Sequence, residues 1–419
     1  MRYFEMKGIF RFLSGIMGIT WLLWGGCRPT IKEHDQSLSD ITVIDLNTLE
    51  EADLLLSHHR VDSLRKFAFQ GHVMTVADGW PDSLRIIKLE TSADCLLGAI
   101  KKIRFVDSLI FISDYNDHLY VFDSSGSFRN PIGELGRAPN QVVALSSFYV
   151  DRKRKVVGVY DGYSDCIHRY TFDGIKQDKI SCRNEVNGYI LDVNQIDDNE
   201  ILLTLSSGVG DLYNYAVVSA KDYKLKEYIL PYNLRYLENS SRGELSCLAQ
   251  PNGQLWLTAL LSDTIYEYKA GKMLSRFVVK SDCMSLNDRV FESHKEWISP
   301  AHASAFLRDN GYSQGLMAIW ATDQYLQFDL SYKDAGYSVY YDYLNHKGYK
   351  SKQYSRGNVL MPGRFLTTTS DAFVSYVTAY DFIHQPEGCI DVDRPPWRGG
   401  WGGGVEDDNP ILLLYYIRK

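Results

Sequence analysis

Apolar and polar residues alternate along much of this chain in short runs, the period of a β-strand with one buried face. Ile103-Arg104-Phe105-Val106 and Leu109-Ile110-Phe111-Ile112 flank the polar pair Asp107-Ser108, which predicts a tight hairpin. The same unit of strand, polar turn and strand recurs at Asp151-Arg152, Asp197-Asp198-Asn199, Pro251-Asn252-Gly253, Thr322-Asp323 and Pro362-Gly363. Second hairpins are predicted at Leu119–Gly126, His168–Gly174, Ile265–Gly271 and Tyr340–Asn345. Asp-Gly and nearby glycines there supply the positive φ angles that tight turns need.

Two hairpins make a four-stranded sheet, and the first turns recur about every 45 residues, the repeat length of a propeller blade. An isolated blade leaves its faces bare, and a closed ring buries them. The predicted fold is therefore all-β, a six-bladed β-propeller. The apolar run at 411–417 and the alternating run at 84–89 are expected to share one blade, so that the two ends of the chain close the ring. The spacing breaks after the fourth first turn. Residues 287–310 read as a short helical insertion between blades four and five, with Asn287 as a cap and Pro300 separating two helices.

The first residues follow a different rule. Arg2, Lys7 and Arg11 precede an apolar run from Phe12 to Trp24 that ends in Gly25-Gly26-Cys27. The run is too short for an ordinary membrane span and has the charge order of an export signal. Small residues before a cysteine resemble the bacterial lipobox, in which the thiol takes a diacylglycerol. The resulting organisation is a signal peptide over 1–26, lipidation at Cys27, a polar tether over 27–40 and the propeller over 41–419. Each buried CH₂ of an acyl chain contributes roughly 0.8 kcal/mol, so several chains make a stable membrane anchor. Arg28 stands where an Asp would mark inner-membrane retention, so the outer membrane is the expected location.

Composition supports this without narrowing it much. Aromatic residues make up 13 % of the chain, with 29 tyrosines, and rings favour pleated surfaces. The net charge is −7. The basic stretch Arg152-Lys153-Arg154-Lys155 fits a solvated turn, so no nucleic-acid partner is expected. The seven cysteines form no Cys-x-x-Cys pair, which argues against a zinc ribbon or a thioredoxin-type site.

Three stretches stand out: Leu89-Glu90-Thr91 with Asp94-Cys95-Leu96-Leu97-Gly98, then Val121-Phe122-Asp123 with Gly126 and Phe128, and then Ile132 to Gln141. They resemble a known family, the six-bladed β-propeller lipoproteins of gut Bacteroidota, related in fold to NHL-repeat propellers. In the last, Ala138 and Asn140 replace two family glycines and Gln141 replaces an acid. Asn409-Pro410 and the strand after it also fit. The resemblance implies fold and anchoring, not an activity.

Ligands of propellers usually meet the face built by inter-blade connectors and by the loops between second and third strands. Arg137, Asn140, Gln141, Asn187, Arg242, Glu244 and Arg356 are the candidate ligand-binding residues on the connectors, the arginines because a guanidinium can grip an anion bidentately. Asp114, Asn116, Asp117, Asp161, Asp165, Asp211, Asp263 and Asp371 line the second set of loops. No cofactor is predicted, although that many oxygens could hold Ca²⁺. His294, Glu296, Trp297 and His302 lie in the insertion but lack the His-Glu-x-x-His spacing of a zinc protease. Trp397 and Trp401 flank glycines that no Lys-Ser/Thr follows, so no phosphate loop is expected. The leading expectation is a non-catalytic envelope module that binds a glycan, a peptide or a partner protein. The alternative is a metal-dependent propeller hydrolase, lactonase or lyase with its site at the channel mouth.

Overall fold

The structure is a computed structural model that describes residues 41–51, 73–75, 83–183, 185–205, 213–231, 248–249, 254–259, 262–269, 271–284, 293, 300–332, 335–352, 365–380 and 407–417. The first strands along the chain are β1 (Thr42–Asp45), β2 (Glu50–Glu51), β3 (Val73–Thr75) and β4 (Ser83–Lys88). Blade one follows as β5 (Ile100–Val106), β6 (Leu109–Asp114), β7 (Leu119–Asp123) and β8 (Phe128–Pro131). Blade two is β9 (Leu145–Asp151), β10 (Val156–Asp161), β11 (Cys166–Thr171) and β12 (Lys176–Ser181). Blade three is β13 (Ile190–Gln195), β14 (Glu200–Leu205), β15 (Tyr213–Ser219) and β16 (Leu225–Pro231). Blade four is β17 (Leu248–Ala249), β18 (Leu255–Thr258), β19 (Thr264–Lys269) and β20 (Lys272–Lys280).

Helix α1 (Pro300–Asp309) then precedes blade five, made of β21 (Leu316–Ala321), β22 (Tyr325–Tyr332), β23 (Ala335–Asp342) and β24 (Lys347–Lys352). The chain ends in β25 (Thr367–Thr368), β26 (Ala372–Val377) and β27 (Ile411–Tyr416). These three join β4 and β3 in one sheet ordered β25-β26-β27-β4-β3, so blade six is built from both ends of the chain. The protein is thus a six-bladed β-propeller. The closing register is antiparallel, and Leu413 lies opposite Ile86.

Each seam between blades has its own apolar filling. Ile87, Ile103 and Leu412 meet between blades six and one. Phe111, Phe148 and Val159 fill the next seam, and Ile167, Val193 and Leu203 the one after. Between blades five and six the filling is aromatic: Phe365 sits within 6.5 Å, ring centre to ring centre, of Trp320, Tyr340, Phe373 and Tyr415. Fully burying one such side chain contributes about 1.5–3 kcal/mol, which is why a blade is stable only beside its neighbours.

Glycines of the outer turns work as predicted, with a second role. Gly126 and Gly174 have φ of +91° and +80°, and a Cβ there would lie 2.1 Å from the Lys88 carbonyl oxygen and 2.5 Å from that of Pro131. The same turn in successive blades therefore presses its backbone against the fourth strand of the preceding blade, where only glycine fits.

The structure departs from the sequence reading at several places. The first turn of the last blade is not at Pro362-Gly363, which lies outside the described residues. It is at Thr369–Asp371, where the Thr369 hydroxyl accepts from the N–H of Ala372 (3.0 Å) and Thr369 N–H donates to the Ala372 carbonyl (2.8 Å). Blade three also has a second hairpin, β15–β16, that the alternation did not reveal. The turn Pro251-Asn252-Gly253 lies outside the described residues, between β17 and β18.

Pro300 follows a helical Ser293. It opens α1, the position where its missing N–H costs nothing. Gly311, with φ of +73°, ends that helix as Tyr312 N–H returns to the Leu307 carbonyl (2.8 Å). Asn287, His294, Glu296 and Trp297 lie outside the described residues. No described helix is long and apolar enough to cross a membrane.

Three strands were not expected at all. β1 and β2 run parallel to β20 and β24 as fifth strands on the outer edges of blades four and five. β3 does the same, antiparallel, for β4 in blade six. Ile44 and Leu46 enter the core between blades four and five, and the Lys350 ammonium donates to the Leu46 carbonyl (2.7 Å).

Candidate functional site: the connector face and the ring axis

The innermost strand of each blade starts beside the end of its second strand, as the pairs Ile100–Asp114 and Leu145–Asp161 show. Inter-blade connectors and second turns therefore share one face, the face on which a ligand was expected. Its aspartates, however, are occupied by the protein itself. Asp114 Oδ1 accepts from the N–H of Asn116 (3.0 Å) and His118 (2.9 Å), and Oδ2 from the N–H of Gly98 (2.8 Å). Asp161 accepts from the N–H of Val143 (3.1 Å), Ala144 (3.2 Å) and Tyr163 (3.1 Å) and from the Ser164 hydroxyl (2.7 Å). Burial would raise the Asp161 carboxyl, but the Ser164 hydroxyl and the main-chain N–H groups outweigh it and hold it below the usual range.

In blades one and two, Asp at the end of the second strand is thus the clasp that holds the incoming connector down. Asp165 likewise takes a bond from the Tyr160 hydroxyl (3.1 Å) and Asp263 one from the Ser313 hydroxyl; Asp371, expected beside them, lies instead in the first turn of blade six, on the opposite face, where it takes a bond from Thr369 (2.9 Å). Asn116 is exposed beside Asp117, whose φ is +67°. Among the described residues no three His, Cys, Asp or Glu side chains come together to hold a metal.

Of the connector residues, Arg137, Asn140 and Gln141 share one compact loop between blades one and two. Gln141 is structural, since its side-chain oxygen accepts the Ala138 N–H (3.0 Å) and fills the space over Gly136. The Asn140 carbonyl accepts from the Lys176 ammonium (2.8 Å). Arg137 is exposed and has no partner among the described residues. Asn187 lies in the next connector, where its N–H donates to the Tyr228 hydroxyl (2.8 Å). Arg242, Glu244, Arg356, Asp211 and Cys27, together with Trp397 and Trp401, lie outside the described residues.

The same face carries exposed aromatic rings. Tyr115 and Tyr163 sit in the second turns of blades one and two, and Tyr189 in the connector that enters blade three. Tyr163 is 71 % and Tyr189 77 % exposed. Tyr115 lies under the Lys101 ammonium, 5.9 Å from the ring centre. Leu96, Leu135 and Tyr380 extend this apolar surface around the face. Tyrosine offers contact area at low entropic cost together with a hydroxyl for hydrogen bonding.

At the axis lies a charged knot that sequence reasoning missed. Lys102 and Arg104 point together from the innermost strand of blade one. The Lys102 ammonium lies 2.6 Å from Asp192 Oδ1, 2.8 Å from the Val193 carbonyl, 3.1 Å from the Ser147 hydroxyl and 3.2 Å from Asn194 Oδ1. Asn194 Oδ1 also takes Arg104 Nη2 (2.5 Å), while Arg104 Nη1 donates to the Ile103 carbonyl (2.9 Å) and the Thr367 hydroxyl (3.4 Å). Blades one, two, three and six are thereby joined across the axis. Burial is the main cause that draws the Lys102 ammonium down to about 7, against the pull of Asp192. Burial would raise the Asp192 carboxyl, but Lys102 and Arg104 hold it below its usual range. A signal was present: in Ile100–Val106, which carries Lys101, Lys102 and Arg104, the alternate positions 102 and 104 share one face.

Comparison with solved structures places the chain beside two proteins of Bacteroides. One, from Bacteroides fragilis NCTC 9343 and provisionally described as exported, is 18 % identical with a TM-score of 0.65, covering 90 % of this chain and 100 % of that one. The other, a DUF4221 family member from Bacteroides vulgatus ATCC 8482, is 11 % identical with a TM-score of 0.50, covering 83 % and 98 %. At these identities the likeness speaks to fold alone. No curated protein matches the chain. The match that runs over residues 74–416 gives the assignment: the chain belongs to the family described as Domain of unknown function (DUF4934).

Proposed function

We propose that this protein is an exported, lipid-anchored binding module of the outer membrane that holds a glycan, a peptide or a partner protein on its connector face without chemical turnover. The export-type leader ending at Cys27 supports the anchor, as does the likeness to a Bacteroides protein described as exported. Kinship with NHL-repeat propellers rests on the resemblance of the connector motifs alone. The observation that carries the binding reading is the set of exposed rings Tyr115 and Tyr163, in the aspartate-clasped turns of blades one and two, and Tyr189, in the connector that enters blade three. Rigid aromatic contacts on a scaffold give area for binding.

The test is a panel of glycans and envelope extracts presented to the mature protein, with Tyr163→Ala/Tyr189→Ala and Arg137→Ala as variants. Captured ligand should fall at least about tenfold in the double variant, the loss expected when hot-spot rings are removed. Retention at the wild-type level places the ligand elsewhere. Anchoring is tested by Cys27→Ala, which should move the protein from membrane to soluble fractions. A wild-type protein that takes no labelled fatty acid contradicts the anchor.

A further inference from the structure

We propose that the axis of the ring is a receptor for a single carboxylate, gripped by the free edge of Arg104 with Lys102 alongside. This goes beyond the binding face and does not depend on which ligand that face takes. The argument begins with charge. With Lys102 protonated, two cations, Lys102 and Arg104, meet one anion, Asp192, so the knot then holds a surplus positive charge inside a chain whose net charge is −7. An uncompensated charge away from water is costly. An arriving monoanion completes the set.

Geometry selects the anion. A guanidinium has five N–H donors in a planar fork. Those of Arg104 go to Ile103, Thr367 and Asn194, and they leave Nε–H and the second Nη2–H without an acceptor among the described residues. Nε and Nη2 share one edge of the plane, the edge that pairs side-on with the two oxygens of a carboxylate. Asn194 Oδ1, braced by the bond from Asn194 Nδ2 to Asp192 (2.8 Å), holds the guanidinium in place.

Access comes from the connector face. Lys102 and Asp192 are each the third residue of their strands, so they sit nearer that mouth than Arg104 and Asn194. The side chain of Asp192 keeps 34 % of its surface exposed, against 9 % for Lys102. An anion at this place also favours the ammonium of Lys102, on which Arg104 and Lys101 both bear as repelling cations.

The experiment titrates the mature protein with acetate and with glucuronate at constant ionic strength, using chloride as the reference, and follows thermal unfolding. A saturable rise in Tm is expected, since a ligand bound only to the folded state stabilises it. A response to acetate alone assigns the site to small free acids. A response to both assigns it to sugar acids as well. Arg104→Gln should weaken binding at least tenfold, and Arg104→Lys, which keeps the charge but not the fork, should weaken it severalfold. Asp192→Asn, by removing the competing anion, should tighten it severalfold. Acetate should also raise the pH at which Lys102 becomes reactive to methylation. The proposal is overturned if neither acid gives a saturable shift, or if Arg104→Gln keeps the wild-type response. Should Arg104→Gln fail to fold, an unchanged affinity in Asp192→Asn overturns it.

Discussion

Blade two and blade six have the same four-stranded plan but opposite connectivity. Blade two is one continuous stretch, Leu145–Ser181, with every strand joined to the next by a tight turn. Blade six collects β25 and β26, then β27 from the end of the chain, then β4 from its beginning. Contacts in the first case close short loops. In the second they close a loop of more than three hundred residues, as the Leu413–Ile86 pair shows. Loop-closure entropy grows only slowly with length, so the closing blade need not be weak. Its loss nevertheless opens every seam, whereas damage in blade two stays local.

The largest test of that contrast is Leu413→Pro. It removes an N–H from a strand paired on both sides and should cost at least about 3 kcal/mol. Cooperative thermal unfolding, followed by circular dichroism, should be lost. Retention of a single sharp transition would mean that the ring does not depend on closure.

Asn409→Ala comes next. This fully buried side chain accepts from Leu97 N–H (2.7 Å) and donates to the carbonyls of Glu90 (2.6 Å) and Cys95 (2.7 Å), tying the closing strand to the connector that enters blade one. Removing it leaves buried groups unpaired at about 3 kcal/mol, and hydrogen exchange should quicken in all six blades. Asp161→Ala unclasps the connector into blade two and should cost about 2 kcal/mol, with faster exchange confined to the stretch near residues 143–164. If both variants exchange in the same pattern, the contrast between the blades fails.

The smallest effect is a pH slope. His168 is fully buried in blade two, its Nε2 makes no hydrogen bond, and burial first, then Lys176, draws it down to about 4. An unfolded histidine titrates near 6.5. Between those values the unfolded chain holds the additional proton, so stability falls as pH drops from about 6.5 to about 4 and then levels off. His168→Leu should flatten that part of the curve while leaving stability at pH 8 nearly unchanged, which denaturant melts at several pH values would show.

The fold was legible because its signals are local. A turn such as Asp107-Ser108, or a hairpin such as Leu119–Gly126, announces itself within eight residues. The closing pair was legible because 84–89 and 411–417 were unmatched strands at opposite ends. β1 and β2 were not, since they run only four and two residues and borrow their order from the edges they join. The first turn of blade six escaped notice because Thr369 makes it with its hydroxyl, with no Gly or Pro to announce it. The site was less legible for a related reason. Aspartates that cap turns and aspartates that bind metal look alike in a sequence, and only the N–H groups around Asp114 and Asp161 separate them. The axial knot joins Lys102 to Asp192 across two blades, a distance in sequence that alternation cannot bridge.

The three outer strands cover the rim of blades four, five and six, while β8, β12 and β16 form the outer edges of blades one, two and three. Those edges carry Pro131, Lys176, Lys179 and Pro231, residues that discourage pairing with another chain. The wrapped half has a mechanical consequence as well. Tension applied ahead of Thr42 reaches β1 first, then β2, and only afterwards β4. Two short parallel zips therefore give way before the ring itself is strained, so the N-terminal strap acts as a fuse.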